Sequence, residues 1–445
     1  MGAHPRHQHP LRERARPAAR GLPRVSGAAP IAVIGAGVVG VACARALQRA
    51  GLPVLLVDPA PPGSLCSAGN AGHIAIEAVS PLSRPGVLAG VPRMLTSPAG
   101  PLTLRARGVP SLLPWMLRFA AASRPSRVRA GTAALAALLG TAAADWRAAL
   151  DAPDLAPLLR REGAVAVTET PAGLAAARRE AAVMSAHGVR VEALEPGEVA
   201  ELVPALVAPV TGGQFFPDAM HAVNPQRLVR DLGARFAAEG GAVLAQPATG
   251  FAREGGRVTA LRTAAGETPV AGVVLAAGLA SAALAPGLGL ALPLTAERGY
   301  HAMLPAEAAA LPCPVSFAER GFIATPMEHG LRLAGTVELG AGGRAPDWSR
   351  ADILVRHARD LFGGAPEAAS RWTGDRPTLP DYLPAIGRAP GLANAVVATG
   401  HQHLGLTLAA VTARIVAALV AGGDPGLDLR PFDPARFARA RPERT

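Results

Sequence analysis

Apolar runs and small residues alternate along residues 31–58 in a way that predicts a strand, a helix and a second strand. Ile31 to Ile34 is a short apolar run, typical of a strand buried on both faces. Val38 to Ala50 carries Ala, Leu and Val at helical spacing, and Gly51 ends this segment. Val54 to Val57 is a second apolar run. The pattern therefore predicts a βαβ unit with two parallel strands.

A glycine motif follows the first of these strands. Gly35, Gly37 and Gly40 form a G-x-G-x-x-G at the strand-to-helix turn, and Asp58 follows the second strand. In such a unit the glycines permit a tight turn, close approach of a pyrophosphate and close packing of the helix on the strand. The helix N-terminus offers N–H groups to the anion, and the carboxylate would bind ribose hydroxyls. The motif predicts a dinucleotide site but does not distinguish FAD from NAD.

The strand-to-helix pattern returns twice, far along the chain. Val270 to Gly278 is an apolar run that meets small residues, and Ala395 to Thr399 leads through a turn into a helix at Leu406 to Val420. Between them, Leu292 to Val337 alternates in a way that favours an antiparallel sheet. We therefore predict an α/β protein, α+β overall. Its Rossmann-type dinucleotide domain would be discontinuous in sequence, with an inserted antiparallel-sheet domain.

Two helices are predicted in the first inserted stretch. Val109 to Ala122 and Arg127 to Leu150 show helical spacing. Their predicted core positions are Trp115, Phe119, Leu135, Leu138, Leu139 and Trp146. Because Trp115 lies close to Arg118, a helix at a membrane surface stays open as an alternative to a core helix. Arg84 to Arg107 contains several Pro and Gly residues and is predicted to be an irregular connection.

The composition is that of a globular protein with an excess of basic residues. Half of the 445 residues are hydrophobic and 17% are charged, with a net charge of +11. Such a charge ordinarily suggests nucleic acid or an anionic membrane. However, all 44 basic residues are arginine and none is lysine, which indicates a coding bias, and only 4% of residues are aromatic. We therefore expect no nucleic-acid partner.

Cysteine use points to a reducing compartment. Cys43, Cys66 and Cys313 are an odd number without C-x-x-C spacing, so the sequence supports neither a disulfide framework nor a zinc site. We expect no bound metal and a cytoplasmic protein. The first 30 residues are rich in Arg, His and Pro and lack an apolar segment. They predict a disordered basic extension rather than a secretory signal.

Four further segments, together with the glycine motif, carry a family resemblance. They are S-A-G-N-A-G-H-I at Ser67 to Ile74, E-R-G-Y at Glu297 to Tyr300, G-D-R-P-T-L-P-D-Y-L-P-A-I-G at Gly374 to Gly387, and G-H-Q-H-L-G-L-T at Gly400 to Thr407. In this order they resemble the FAD-dependent D-amino-acid oxidase and dehydrogenase superfamily. The resemblance is strongest to its bacterial D-amino-acid dehydrogenase small subunit and D-hydroxyproline dehydrogenase branch, with glycine oxidase more distant. It covers Ile31 to Gly422.

The resemblance implies FAD as the cofactor, and it implies four groups of contacting residues. These are Gly35, Ala36, Gly37, Val38, Val39, Gly40, Asp58 and Pro59 at the ADP part; Ser67, Asn70, Ala71, Gly72 and His73 by the flavin ring; Ala277 and Gly278 at the pyrophosphate; and Gly400, His401, Leu404, Gly405 and Leu406 where the last helix begins. Relatives that attach FAD covalently use a histidine or a cysteine at particular positions. Around the first of them this chain has Ser64-Leu65-Cys66, so we expect non-covalent FAD.

The resemblance also implies residues that bind the substrate. Arg376 falls where glycine oxidases bind the substrate carboxylate with an arginine, and His403 falls where they have a second arginine, so the substrate stays open. Tyr300 would bind the carboxylate or cap the pocket, with a core aromatic of a sheet as the alternative. His401 and His403 would contact substrate or flavin, or be ordinary loop histidines. Glu297 is interpreted as structural.

The implied reaction is hydride transfer from the α-carbon of a D-amino or D-imino acid, such as D-proline, hydroxyproline or D-alanine, to flavin N5. The product is an imino or keto acid, and the electrons pass to a non-oxygen acceptor, with a membrane quinone as one candidate. A peripheral position on the inner face of the cell membrane and the oligomeric state stay open. The alternatives are a glycine or sarcosine oxidase, an FAD-bearing tRNA-modifying protein and a non-catalytic subunit.

These expectations divide the chain into two domains and two tails. Residues 30–105, 210–290 and 373–425 are predicted to form the FAD-binding domain. Residues 106–209 and 291–372 are predicted to form the substrate domain. Residues 1–29 are the basic tail, and residues 426–445 are the C-terminal tail.

Overall fold

A computed structural model describes residues 28–97, 99–364 and 367–438. Nearly all of the predicted basic tail, residues 1–27, lies outside the described residues, as do residues 439–445 of the predicted C-terminal tail. In chain order, the described helices are α1 (Val38–Arg49), α2 (Pro85–Thr96), α3 (Val109–Ala122), α4 (Pro125–Ala149), α5 (Pro171–Ala186), α6 (Pro196–Leu202), α7 (Pro225–Ala238), α8 (Ser281–Leu284), α9 (Ser349–Phe362) and α10 (Gly405–Ala421).

The strands are numbered in the same way. They are β1 (Ile31–Ile34), β2 (Val54–Val57), β3 (His73–Ile74), β4 (Leu102–Leu104), β5 (Leu159–Arg160), β6 (Ala164–Thr168), β7 (Glu192–Leu194), β8 (Gly212–Phe216), β9 (Met220–Ala222), β10 (Ala242–Leu244), β11 (Ala248–Glu254), β12 (Arg257–Thr263), β13 (Gly266–Pro269), β14 (Gly272–Leu275), β15 (Thr295–Leu304), β16 (Val315–Phe317), β17 (Phe322–Met327), β18 (Gly330–Leu339), β19 (Ser370–Thr378), β20 (Ala385–Arg388) and β21 (Ala395–Thr399).

One sheet has six strands in the order β10-β2-β1-β14-β21-β20. The strands run parallel except for β20, which pairs antiparallel with β21. Helices α1, α7 and α10 cover one face, and the small sheet β11-β12-β13 covers the other. Because both faces are covered, the strands read as continuous apolar runs. The predicted Rossmann-type fold is confirmed, and its strands come from separated parts of the chain.

A second, nine-stranded sheet has the order β19-β15-β18-β17-β16-β6-β8-β7, with β4 beside β18. Most of its pairs are antiparallel, as predicted, and α9 packs on β15 and β18. Strand β8 belongs to this sheet because its backbone pairs with β6, although the sequence placed residues 210–290 with the cofactor domain. Strand β4, from the predicted range 30–105, likewise pairs with β18. The limits of the two domains stay a prediction.

Helix α2 occupies part of the stretch that was predicted to be an irregular connection. Pro85 lies at its first position, where a proline needs no N–H partner. Pro92 lies inside the helix, where it removes one backbone hydrogen bond. None of the twelve residues of α2 is buried. The prediction was wrong because the prolines and glycines of this stretch were interpreted as breaks.

Helices α3 and α4 match the prediction closely. Trp115 is buried in α3, and its indole Nε1 donates to the carbonyl oxygen of Thr378 at 3.2 Å. Phe119 is partly buried beside Tyr382. The predicted core positions of α4, namely Leu135, Leu138, Leu139 and Trp146, are all buried.

Candidate active site

A cavity of about 500 Å³ lies at the carboxyl ends of β1, β14 and β21. These three strands are neighbours in the sheet, so the turns that follow them meet at one edge. Strand β19 of the larger sheet closes the cavity with Trp372 and the residues that follow it. The predicted residues that line it are Gly35, Gly37, Val38, Val39, Asp58, Ser67, Asn70, Ala277, Gly278, Gly400, His401, Gly405 and Leu406.

The first turn requires its glycines for reasons of space. Gly35 has φ +107°, and a β-carbon there would overlap the backbone of Ala276 in the neighbouring turn. A β-carbon on Gly40 would overlap the carbonyl oxygen of Gly35, so the start of α1 could not approach β1. Gly37, at the N-cap of α1, has no side chain to cap the first turn, and the N–H of Val38 donates to Ser67 Oγ at 3.0 Å. The other amide groups of this turn therefore offer an anion site at the cavity wall.

Asp58 holds this turn in place. Its Oδ2 accepts a hydrogen bond from the N–H of Ala36 at 2.8 Å, and its Oδ1 accepts one from the N–H of Ala60 at 2.8 Å. Each carboxylate oxygen has a second lone pair that could accept from a ribose hydroxyl. Ala36, Gly40 and Pro59, which were predicted to contact the cofactor, do not line the cavity.

The loop before β3 forms another wall. Asn70 lines the cavity, and its Oδ1 accepts from the N–H of Gly72 at 2.8 Å. Arg332 of β18 donates to the carbonyl oxygens of Ala68 at 3.1 Å and Asn70 at 2.6 Å. Burial lowers the pKa of Arg332 to about 10, so the guanidinium stays charged at neutral pH. The nine-stranded sheet thus holds this loop in place through Arg332.

Three predicted residues of the same loop do not line the cavity. Ala71, Gly72 and His73 follow Asn70 in the chain but are not part of the cavity wall. The His73 Nε2 is hydrogen-bonded to Glu77 Oε1 at 2.6 Å. His73 also pairs through its backbone with His221 of β9. The structure therefore gives this histidine a place in a small sheet rather than at the cavity.

The third turn contains two histidines in different surroundings. His401 lines the cavity but is buried, with its Nε2 hydrogen-bonded to Thr412 Oγ1 at 3.0 Å. Burial lowers the pKa of His401 to about 3, so it is neutral at physiological pH. His403 is exposed, and its ring centroid lies 6.4 Å from that of Tyr382. Leu404 is buried behind the turn and does not line the cavity.

Gln402 is a cavity residue that the sequence analysis missed. Its φ of +46° is unusual for a residue with a β-carbon. The side chain is buried, and neither amide atom has a hydrogen-bond partner among the described residues. A buried amide without partners costs free energy, so a polar ligand in the cavity would satisfy it. The only sequence signal was its position in the motif between two histidines.

Arg376 lies beside the cavity, between the lining residues Asp375 and Pro377. It is paired across the sheet with Glu297 of β15, and its Nη1 donates to Glu297 Oε1 at 3.3 Å. The guanidinium lies directly over Gly299, where any β-carbon would overlap it. About a fifth of the side chain is exposed, at 22%. Arg376 is thus held on one side and free on the other.

Glu297, which was interpreted as structural, holds Arg376 in this position. It is buried, and its Oε2 accepts from the hydroxyls of Thr378 at 3.0 Å and Tyr382 at 2.9 Å. The sequence contained a signal for this role. Glu297 and Gly299 are two residues apart in a strand, so a carboxylate and a position without a side chain lie on the same face and leave room for an arginine.

Tyr300 lies on the opposite face of β15. Its hydroxyl donates to Glu338 and accepts from the N–H of Asp347 at 3.1 Å. Burial, together with Glu338, raises the pKa of Tyr300. Its hydroxyl is occupied and the residue does not line the cavity. The structure therefore favours the core alternative for Tyr300 over a contact with substrate.

Residues 30–419 match a family model whose description is FAD dependent oxidoreductase. The chain belongs to this family. Two curated relatives are 34% identical to it. One is a D-amino-acid oxidase of Bradyrhizobium diazoefficiens, aligned over 92% of this chain and 98% of the relative. The other is a D-amino acid dehydrogenase of Paramagnetospirillum magneticum, with the same two coverages. The chain is therefore an FAD-dependent amine oxidoreductase of the D-amino-acid oxidase and dehydrogenase type.

Solved structures of FAD-dependent oxidoreductases share its fold. Glycine oxidase from Geobacillus kaustophilus superposes with a TM-score of 0.73 at 22% identity, covering 92% of this chain and 99% of that one. L-Proline dehydrogenase from P. horikoshii superposes with a TM-score of 0.71 at 18% identity, covering 92% and 97%. At these identities the comparison supports the fold alone.

The cavity fits FAD, which is the cofactor of this family. Its glycine turn leaves room for a pyrophosphate against the start of α1. Asp58 lines the cavity at the position from which an acidic residue binds the ribose hydroxyls in this type of fold. The unpartnered amide of Gln402 offers its NH2 group as a donor and its carbonyl oxygen as an acceptor at the end where α10 begins.

Proposed function

We propose that this enzyme oxidises a D-amino acid or a cyclic D-imino acid at its α-carbon and passes the electrons to a membrane quinone. The observation that carries the substrate part is the guanidinium of Arg376. It is oriented by Glu297 and the space over Gly299, and it is partly exposed next to the cavity that fits FAD. A guanidinium with a free edge binds a carboxylate through two parallel hydrogen bonds.

The role of Arg376 in this proposal is orientation. When bound, FAD supplies the hydride acceptor for an amine oxidation. Two hydrogen bonds to the carboxylate would fix the plane of the substrate, which directs its α-carbon C–H toward the cavity. Arg376 precedes Pro377, whose ring restricts the backbone of Arg376 to extended conformations. The backbone from which the side chain of Arg376 extends is therefore restricted in conformation.

The titratable residues of the cavity wall do not suit a general base. They are Asp58, Cys66, Asp375 and His401. Asp58 holds the glycine turn and Asp375 accepts from Arg298 Nε at 3.1 Å. His401 is neutral but hydrogen-bonded to Thr412. We infer that the substrate amine binds in its neutral form, so that the protein only has to bind and orient it.

We propose that FAD is bound without a covalent link. Cys66 lines the cavity, but burial raises the pKa of its thiol to about 11. A protonated thiol is a poor nucleophile, so Cys66 is a poor candidate for attachment. Precipitation of the purified protein with acid should leave all the yellow colour in the supernatant; colour in the pellet would show a covalent link.

The acceptor is the second part of the proposal. The relative from Paramagnetospirillum magneticum is called a dehydrogenase, which supports a non-oxygen acceptor. The relative from Bradyrhizobium diazoefficiens is called an oxidase, so direct reaction with oxygen is the second candidate. We propose a cytoplasmic enzyme at the inner face of the cell membrane. The described thiols are free, which supports a reducing compartment.

An anaerobic absorbance titration tests both parts. The purified yellow protein is mixed with D-proline, cis-4-hydroxy-D-proline, D-alanine, sarcosine or glycine, with L-proline and L-alanine as controls. We expect a D-amino or D-imino acid to bleach the flavin band, and a soluble quinone to restore it much faster than air. Bleaching by sarcosine or glycine alone would contradict the substrate, and fast recovery in air with peroxide would contradict the acceptor.

A further inference from the structure

One stretch of the chain departs from the even mixture of charges. Residues 78–144 contain eight arginines and no aspartate or glutamate, although the chain has 33 acidic residues. A coding bias that replaces lysine by arginine leaves the charge unchanged, so it does not account for the missing acids. The local charge therefore needs its own explanation.

Most of these arginines form no ion pair with an acidic residue in the described part of the chain. Arg84 is paired with Glu180, and Arg105 with Glu338 and Asp347. The other six are exposed and have no acidic partner among the residues that the structure describes: Arg93, Arg107, Arg118, Arg124, Arg127 and Arg129. Six unpaired charges of one sign repel each other unless something negative lies against them.

Two of the three helices that this stretch contains or begins, α2 and α3, are also apolar on the outside. Helix α2 has one charged residue, Arg93, and yet none of its residues is buried. Helix α3 buries Leu112 and Trp115, while Leu113 is 50% and Leu117 is 64% exposed. Helix α3 is therefore apolar on both faces. In water, an apolar outer face of this kind indicates a docking surface.

Helices α2 and α3 run between the same two places. Just before α2, Ser83 Oγ donates to the carbonyl oxygen of Asp381, and at the end of α3 Phe119 contacts Tyr382. At the other end, α2 packs on β4, and α3 begins just after it. We call the exposed residues of both helices, with Arg107, Arg124, Arg127 and Arg129, the α2–α3 surface. Arg93 and Arg107 lie at its β4 end, and the other four arginines lie near the opposite end.

We propose that the α2–α3 surface docks on an anionic lipid bilayer. The exposed leucines would enter the headgroup region, and the arginines around them would bind lipid phosphates. This is a peripheral contact. Gln402–Ala421 is long and apolar enough to span a membrane, but most of it is buried in the fold as the core helix α10. The contact would place the cluster of Arg376, Glu297 and Tyr382 close to the membrane, since Tyr382 touches Phe119 of α3.

Vesicle co-sedimentation of the full-length, FAD-loaded protein tests this. We expect binding to vesicles of phosphatidylcholine and phosphatidylglycerol, a large loss in high salt, and little binding to phosphatidylcholine alone. The double variant L113S/L117S should weaken binding to the anionic vesicles by at least about 10-fold. The triple variant R118Q/R124Q/R127Q should weaken it by at least about 10-fold as well.

A matched control separates the surface from the net charge. The triple variant R161Q/R253Q/R257Q removes three exposed arginines elsewhere and should bind the vesicles like the wild type. The arginines of residues 1–27 are the same in every variant, and flavin absorbance checks that each one is folded. Equal losses in both triple variants would overturn the proposal, and so would an absence of vesicle binding.

Sedimentation without lipid tests whether a second copy of this chain, rather than a lipid bilayer, covers the α2–α3 surface. If L113S/L117S dissociated an oligomer of the wild type and left vesicle binding unchanged, the surface would be an interface between copies of this chain, and the proposal would be overturned. The test needs no turnover, so its outcome does not depend on the proposed substrate or acceptor.

Discussion

Two buried glutamates of the larger sheet have the same kinds of partner but different surroundings. Glu297 and Glu338 lie on the neighbouring strands β15 and β18, and they point to opposite faces of the sheet. Each accepts a hydrogen bond from one of the chain's two tyrosines, Tyr382 for Glu297 and Tyr300 for Glu338. Each also has an arginine within ion-pair distance.

The two clusters differ in whether their arginines are saturated. Beside Glu338, Arg105 also binds Asp347, and Arg298 also binds Asp375. Beside Glu297, Arg376 has one hydrogen bond to a carboxylate and no second acidic partner among the described residues, and its side chain is 22% exposed. A closed cluster fastens strands together, whereas an open one can receive a further anion. The face of the strand, more than the residue types, decides which cluster keeps an arginine that can receive a further anion.

Breaking the closed cluster should have the largest effect. In Glu338→Gln, Arg105 and Arg298 lose a buried anion, so the free energy of unfolding should fall by about 3–5 kcal/mol. Urea unfolding measures this. Glu192→Gln removes an exposed carboxylate from the same sheet and should change stability little. A drop of less than about 1 kcal/mol in Glu338→Gln would contradict a role of the closed cluster in stability.

Changing Arg376, the arginine of the open cluster, should affect substrate binding rather than folding. Arg376→Lys cannot form the planar two-bond contact, so the KM for the substrate should rise by about 100-fold while FAD stays bound. Arg371→Lys, on the same strand but paired with Asp352 of α9, is the control and should keep KM within about twofold. Loss of FAD from Arg376→Lys would show that Arg376 supports the cofactor instead.

The residue that orients Arg376 should have a smaller effect. Glu297→Ala removes the carboxylate that hydrogen-bonds to the guanidinium of Arg376, so KM should rise by about 10-fold. The rate of flavin reduction at saturating substrate should change little. Glu297→Gln keeps an acceptor and should restore most of the affinity. Equal KM values in the Ala and Gln variants would mean that the charge of Glu297 matters more than its hydrogen bonds.

The two tyrosines give the finest comparison. Tyr300→Phe and Tyr382→Phe each remove one hydroxyl donor to a buried glutamate, so each should lose about 1 kcal/mol of stability. Only Tyr382→Phe should also raise KM, by about threefold, because only Tyr382 shares its glutamate with Arg376. A rise in KM in Tyr300→Phe alone would reverse the assignment of the two faces.

Local patterns predicted the cofactor sheet well. β2 spans Val54–Val57 and β21 spans Ala395–Thr399, as predicted, because a strand buried on both faces needs an uninterrupted apolar run. The glycine turn was predictable for a similar reason, since no other residue fits between Gly35 and Ala276. These elements depend on short stretches of sequence.

The rest of the site depends on contacts that no short stretch contains. The role of Glu297 follows from its pairing with Arg376, which is distant in sequence. The separation of Tyr300 from the cavity follows from Glu338 on another strand. Helix α2 forms despite Pro92, and its sequence resembles a loop. In each case the outcome depends on a tertiary contact or an internal proline that local propensity does not reveal.

The sheet order also has a consequence for synthesis on the ribosome. β14 lies between β1 and β21, and α1 packs on α10, but β21 and α10 are translated long after β1 and α1. At about 10 residues per second, about half a minute separates the two halves of this core. During that interval the apolar face of α1 is uncovered on the nascent chain, and the edge of β14 is uncovered for about the last 12 s of it. The availability of chaperones that shield such surfaces should therefore limit the yield of soluble enzyme.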